Sequence, residues 1–441
     1  MDRKILEERD YAAIREEFRG MNIVDVADEL EEMEEDVAIA AFRMLPKDKA
    51  AEVFAYLSRD TREKVVEVIT DKEISGIINA LFLDDAVDFI EEMPANVVRR
   101  VLAHVRPDKR DMINQFLKYP EDSAGSVMTV EYVSLKETMT VREAFASIRA
   151  TGINKETIYT CYVTDRERRL LGAVTARSLM LAEPDEVIGA IMDREVISAT
   201  TTDDKESLSN DFRKYALLAM PVVDHENRLV GIVTVDDAIM VQEEEATEDF
   251  ELMAAMSPSE EPYLRTSAWV HTKNRVVWLL LLMLSATVTG AIISSFEDAL
   301  AVLPALVAFI PMLMDTGGNA GAQSSTLVIR GLALEEVSLS DVLEVLWKEI
   351  KVAVMCGAAL VVVNFVRIWL TSGHNVTMAL TVSLALYATV IMAKAIGSML
   401  PMAAKKFRLD PAVMAAPVIT TIVDAGALLA YFSLAKVLMH I

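Results

Sequence analysis

Asp424 is the one charged side chain between Pro411 and Ala435, in the stretch DPAVMAAPVITTIVDAGALLAYFSLAKVL that starts at Asp410. A run of that length can cross ~30 Å of hydrocarbon as a helix. Asp410-Pro411 is a fitting start, with Asp as N-cap and Pro at the first helical position. The start places Asp424 about four turns in. A bare carboxylate in hydrocarbon costs at least ~2.5 kcal/mol, so something must compensate it. A structural lysine or a bound proton could do so. The functional alternative is a cation site on a permeation path, the usual meaning of an ionisable residue inside a span.

A second polar set lies in PMLMDTGGNAGAQSST, which begins at Pro311. Asp315, Asn319 and Gln323 recur at a spacing of four, with Thr326 adjacent, so they share one helical face. With Thr420 and Asp424 they make an all-oxygen lining. Oxygen-only ligands favour Mg, Ca or Mn over softer metals. Mg²⁺ dehydrates reluctantly, so few carboxylates and several amides suit the hydrated ion. One Asp424 per chain leaves a 2+ ion half-neutralised; a two-fold dimer would supply two. Pro311, Gly317, Gly318 and Gly321 predict an interrupted helix, which membranes tolerate only where it is buried or lines a wet cavity. The competing use of the glycines is close helix packing.

The elements that must hold these residues are five apolar stretches: Val276 to Phe296, Ala299 to Ala333, Lys351 to Leu370, Val376 to Met402 and Pro411 to Leu438. With the N-terminus inside, Lys273, Arg275, Arg330, Lys348, Lys351, Lys405, Lys406 and Arg408 all fall inside. Glu297, Asp298 and the 367–374 loop fall outside, as the positive-inside rule requires. Five spans then put the C-terminus outside. No apolar leader is expected at the N-terminus, MDRKILEERDYAAIREEF.

Charge divides the chain sharply. Residues 1–265 carry 57 acidic and 32 basic side chains, whereas Thr266 onward carries 10 and 11. Such an acidic surface excludes nucleic acid as a partner, and it concentrates cations. Cys161 and Cys356 give neither a disulfide framework nor a metal motif, which fits a cytosolic acidic half.

Residues 1 to about 124 predict short helices such as VADELEEMEEDVAIAAFRML, TREKVVEVI and DDAVDFIEEM, punctuated by proline or aspartate and stacking as a solenoid-like bundle. From about Ser126 to Met240 a unit repeats. YVTDRERRLLGAVTARSL (162–179) matches PVVDHENRLVGIVTVDDA (221–238) at a spacing of 59. Upstream, SVMTVEYVSL resembles AIMDREVISA. The repeat resembles a tandem CBS pair, an α/β regulatory module that often binds adenine nucleotides. In that family an Asp three residues after the strand-ending Ser/Thr holds the ribose. Thr234 and Asp237 keep this pattern, whereas Ser178 replaces the Asp in the first copy. At most one full nucleotide site, for ATP or a similar ligand, is implied. Gln242 to Pro262 then crowds Glu243, Glu244, Glu245, Glu248, Asp249 and Glu251 onto one helix, where like charges repel unless a counter-ion is present.

The whole chain resembles the MgtE family of magnesium channels and transporters. The domain order, DTGGNAGAQSST and the DP…TTIVDAG span carry the resemblance. It implies a multidomain protein: an all-α superhelical N domain (1–124), an α/β tandem CBS pair (125–240), an acidic connecting (plug) helix (241–268) and an α-helical membrane domain with five transmembrane helices (269–441). It implies a homodimer in the cell (inner) membrane with the pore on the two-fold axis, where Asp424 holds hydrated Mg²⁺ and Gly318, Asn319 and Thr326 surround the same cavity. Cytosolic Mg²⁺ is expected to bridge acidic surfaces and close the pore. The implied sensor positions are Glu52, Asp84, Asp88, Asp204, Glu206, Asp237, Glu245, Glu248, Asp249 and Asp410. Ala216, Met240 and Ala322 depart from the family pattern, which implies fewer or weaker sensor ions. Lys394 in the fourth span is unusual and has no assigned role. The alternatives are a cation-coupled secondary transporter, with Asp424 or Lys394 titrating, and a non-conducting CBS membrane sensor. No enzyme is expected: the five histidines are scattered, and no P-loop or HExxH occurs.

Overall fold

A computed structural model describes residues 11–259, 263–264, 266–297, 301, 303–414 and 416–439. They fall into two compact units divided between Gln242 and Glu243.

The first unit opens with nine short helices among the described residues: α1 Tyr11–Gly20, α2 Ile23–Glu32, α3 Glu35–Phe42, α4 Lys47–Ala55, α5 Arg59–Val68, α6 Asp71–Ala80, α7 Leu83–Glu92, α8 Ala95–His104 and α9 Pro107–Phe116. Of α1 to α7, all but α5 pack on the helix two places further on, the stacking of a superhelix, and α5 is tied to α7 by the Arg62–Glu92 ion pair at 3.1 Å. Polar ties run along the stack. Lys49 Nζ donates to the carbonyls of Phe18 (2.6 Å) and Met21 (2.7 Å), and Arg100 does the same for Val66 (2.9 Å) and Ile69 (2.8 Å). These cations satisfy carbonyls left open at helix ends. VADELEEMEEDVAIAAFRML, expected as one helix, is two. α2 ends at Glu32, Met33 is extended, and α3 begins at Glu35. Acidic residues are unfavourable at a helix C-terminus and favourable in a first turn, so Glu34, Glu35 and Asp36 suit a restart better than a continuation.

The CBS repeat forms two three-stranded sheets with the same topology. One holds β1 Ser134–Leu135, β2 Thr160–Thr164 and β3 Leu170–Thr175; the other holds β4 Ala199–Thr200, β5 Ala219–Val223 and β6 Leu229–Thr234. In each, the first pair is parallel and the second antiparallel. The copies exchange leading segments: Thr129 bridges Ile232, and Asp193 bridges Ala173. This exchange explains the paired glycines. A Cβ on Gly172 would lie 2.5 Å from the Asp193 carbonyl oxygen, and one on Gly231 2.7 Å from that of Thr129. Four helices complete this unit: α10 Val141–Thr151, α11 Ala176–Leu181, α12 Ile188–Ile191 and α13 Lys205–Tyr215. The helix α14 Val235–Met253 carries the chain across the division.

The second unit is built from α15 Ala268–Ser295, α16 Ile310–Ala333, α17 Val342–Thr371, α18 Val376–Lys406 and α19 Ala416–Met439. Among the described residues, four stretches are long and apolar enough to cross a membrane: α15, Leu339–Thr371, α18 and Pro411–Met439. α16 is long enough, but its polar middle keeps it out of that set. α18 lies at the centre, packed on α16, α17 and α19. The core joins Leu313, Val382, Ala385, Ile419, Val423 and Leu428. α15 buries none of its residues and leaves an apolar surface all round, as a helix facing lipid would.

Candidate functional site

α16 is one continuous helix, which corrects the expected interruption. Pro311 sits in its first turn, where no amide proton is needed. The glycines are packing positions. A Cβ on Gly317 would lie 2.7 Å from Thr389 Cγ2, on Gly318 2.7 Å from Thr420 Cγ2, and on Gly321 2.6 Å from Ile419 Cγ2. A Cβ on Gly397 of α18 would overlap the Gly321 carbonyl. The glycine face of α16 is thus pressed onto α18 and α19. The other face, with Asp315, Asn319, Gln323 and Thr326, is exposed in a single chain.

α19 places Thr420 and Asp424, both half-buried, one turn apart. Residues 411–414 form a 3-10 turn and α19 starts at Ala416, so Asp424 lies nearer the helix start than the sequence suggests. The Thr420 hydroxyl donates to the Pro417 carbonyl at 2.9 Å and keeps its lone pairs free. Asp424 has no hydrogen bond or ion pair among the described residues. Lysine does not compensate it: the buried Lys394 donates to Ser324 instead.

Three sensor positions meet elsewhere in this unit. Asp249 on α14 is half-buried, and its carboxyl is raised to about 6 by desolvation and by the Asp410 and Glu248 charges, with Arg330 opposing. Asp410 caps the turn that follows, accepting from the Ala412 amide at 2.7 Å. Leu252 and Met253 pack with Ile329 and Ala412, so the end of α14 is seated beside α16 and the start of α19. Glu245 and Glu248 lie on the same helix, upstream of this contact.

The first unit gathers a larger acidic cluster. Asp84 on α7 is buried, and desolvation with the charges of Asp85, Asp237 and Glu156 raises its carboxyl well above the usual range. Desolvation, then Asp237, Asp236 and Asp85, raises Glu156 to about 8. Asp237 is raised to about 6, by desolvation against a Thr234 hydrogen bond that lowers it. Asp88 is raised to about 7, first by desolvation and then by Asp85, Glu91 and Asp237. Its side chain still reaches solvent, so screening weakens its shift most. The cluster unites the predicted Asp84, Asp88 and Asp237 with Asp85, Asp236 and Glu156. Asp85, Asp236 and Glu156 are not among the residues the sequence singles out. Asp236 adjoins a predicted residue; nothing local marks Glu156, which lies in a turn far from α7. The remaining predicted positions stay apart. Glu52 is exposed on α4, Asp204 caps α13 by accepting from the Ser207 amide, and Glu206 lies in the first turn of that helix.

For the nucleotide, Asp237 accepts from the Thr234 hydroxyl at 2.8 Å, and Asp236 contacts the same hydroxyl. An open pocket of about 570 Å³ flanks the first copy instead, lined by Ile158, Tyr159, Ala176, Arg177, Met180 and Leu181.

Comparison with known proteins decides the family. A family described as divalent cation transporter matches residues 310–434, the MgtE intracellular N domain matches 21–122, and the CBS domain matches 124–185 and 188–244. The magnesium transporter MgtE of Thermus thermophilus is 34% identical over 439 residues, covering 99% of this chain and 97% of the relative. The chain belongs to the MgtE family. The Bacillus subtilis MgtE is 32% identical, covering 98% of this chain and 94% of its own. Among solved structures, the cytosolic domain of the Mg²⁺ channel MgtE in complex with ATP is similar at a TM-score of 0.52 and 34% identity, over 54% of this chain and 98% of that one. The soluble part of a magnesium transporter is similar at 0.52 and 28% identity, over 55% and 96%. As an MgtE-family protein, the chain combines a magnesium-transport membrane unit with a helical N domain and a CBS pair.

Proposed function

We propose that the chain is a Mg²⁺ channel that works as a homodimer and is closed by cytosolic Mg²⁺. The observation that carries this reading is Asp424: a half-buried carboxylate without a partner among the described residues, on an apolar helix packed against the oxygen-bearing α16. A second copy would supply a second Asp424 and cover the exposed Asp315–Asn319–Gln323–Thr326 face. The hydrated ion would pass between Asp424, Thr420 and that face, held through water by few charges. The acidic half lies in the cytosol and the C-terminus outside, following the charge pattern of the loops.

The sensor is the crowd of carboxylates at Asp84, Asp88 and Asp237, joined by Asp85, Asp236 and Glu156, with Asp249 and Asp410 near the membrane. Glu52, Asp204, Glu206, Glu245 and Glu248 complete it in the closed dimer. Mg²⁺ there relieves repulsion and favours the closed arrangement, by as much as it binds that state better. Thr234 and Asp237 hold an adenine nucleotide in the CBS pair, as the ATP complex of the similar cytosolic domain suggests. The test is Mg²⁺ uptake into proteoliposomes with the cytosolic side either chelated or at high Mg²⁺. Uptake is expected only in the chelated state. Uptake that ignores cytosolic Mg²⁺ contradicts the sensor, and uptake that follows an imposed proton gradient favours a coupled transporter.

A further inference from the structure

Lys394 is buried at 5% exposure in α18, and Ser324 at 1% in α16. The ammonium donates to Ser324 Oγ at 3.4 Å, and that hydroxyl donates to Glu349 Oε2 of α17 at 2.5 Å. An ammonium only donates and a carboxylate only accepts, so the hydroxyl accepts from Lys394 and gives its proton to Glu349, which lies nearer than the Ala320 carbonyl at 3.4 Å. No direct ion pair joins Lys394 to Glu349 among the described residues; the hydroxyl stands between them. Charges buried among apolar helices persist only when they answer one another.

The location gives the chain of bonds its use. Gly321 and Gly397 bring α16 and α18 into backbone contact, and Ser324 lies one turn beyond Gly321. Glycine contacts set a distance but allow a helix to slide or turn. Hydrogen bonds are directional and do not. Gln323 directly precedes Ser324, and Asn319 lies a little over one turn earlier, both on the exposed face. Any rotation of α16 therefore moves those amides.

We propose that Lys394, Ser324 and Glu349 form a strut across α16, α17 and α18, buried at Lys394 and Ser324 and half-buried at Glu349, that sets the rotation of α16 and so positions Asn319 and Gln323 for the passing cation. Lys394 is on this view a positioning residue. The inference rests on the transport reading above.

The test uses the full-length protein, with Lys394→Met, Lys394→Arg, Glu349→Gln and the double Lys394→Met/Glu349→Gln, in proteoliposomes and in thermal melts in detergent. Lys394→Met is expected to lower maximal Mg²⁺ uptake per folded protein on the order of tenfold, the scale of a slightly misplaced group, and to shift the half-saturating Mg²⁺ concentration. Lys394→Arg restores most of both. The double variant melts above Lys394→Met, because it removes the stranded carboxylate. Wild-type uptake and half-saturation in Lys394→Met overturn the proposal, as do melting losses that simply add. A fall in uptake that only tracks lost folded protein also overturns it, because a purely structural role would do that. A wild type with no uptake defeats the transport reading and the positioning claim with it, while the melting cycle still reports the strut separately.

Discussion

Two sites treat carboxylates in opposite ways, the acidic crowd of the first unit and Asp424 in the second. In the first, Asp84, Asp85, Asp88, Glu156, Asp236 and Asp237 crowd together, and several are held above the normal carboxylate range by desolvation and mutual repulsion. In the second, Asp424 lies one turn from the Thr420 hydroxyl, with no hydrogen bond or ion pair among the described residues. A crowd of like charges stores repulsion that a divalent cation releases, so it suits a site that should stay occupied and change shape. A lone carboxylate in an oxygen-lined face holds an ion loosely, so it suits a site the ion must leave.

The largest break in this comparison comes from dispersing the crowd. The triple variant Asp84→Asn/Asp88→Asn/Asp237→Asn is expected to pass Mg²⁺ at low cytosolic Mg²⁺ yet need at least ~10-fold more cytosolic Mg²⁺ for half-closure, since the closed state loses its preference. Uptake titrated against internal Mg²⁺ measures this.

Next in size is a pH effect specific to the first unit. Folded values of about 8 for Glu156, about 7 for Asp88 and about 6 for Asp237 lie above the unfolded values, which are near ~4. The folded state therefore holds more protons between those limits, and stability falls as pH rises through the window. On the proposed sensor reading, bound Mg²⁺ would replace those protons. Melting in chelator is expected at lower temperature at pH 8 than at pH 6, and the gain on adding Mg²⁺ is larger at pH 8.

Packing in the second unit predicts a different kind of loss. Gly397→Ala forces a methyl into the Gly321 carbonyl and is expected to cost about 1–3 kcal/mol, as overpacking does, with no dependence on Mg²⁺ in the melt. The smallest effect is at Arg330, the cation that opposes the raised carboxyl of Asp249. Arg330→Gln removes a competitor and is expected to lower the Mg²⁺ needed for closure about twofold, the scale of a part-exposed charge contact.

Much of this was legible in the sequence, wherever a single element carries the information. The period of 59 gave the paired sheets, and Gly172 and Gly231 fell at equivalent close approaches. The spacing of Asp315, Asn319 and Gln323 placed them on one face because α16 is helical there. At its glycines the same stretch predicts an interruption, whereas the competing use, close helix packing, is the one observed. Their role depends on Thr389, Ile419, Thr420 and Gly397, residues on other helices that local rules do not see. Glu156 joined the cluster, and Ser324 joined Lys394 to Glu349, for the same reason: three elements distant in sequence must pack before the residues meet.

The central claim is that the lone carboxylate passes the ion. Mg²⁺ uptake into chelator-loaded proteoliposomes, compared between the wild type and Asp424→Ala at equal amounts of folded protein, tests it most directly. The account predicts rapid uptake by the wild type and almost none by the variant. Equal uptake by both would contradict it and would move the ion to the Asp315–Asn319 face of α16.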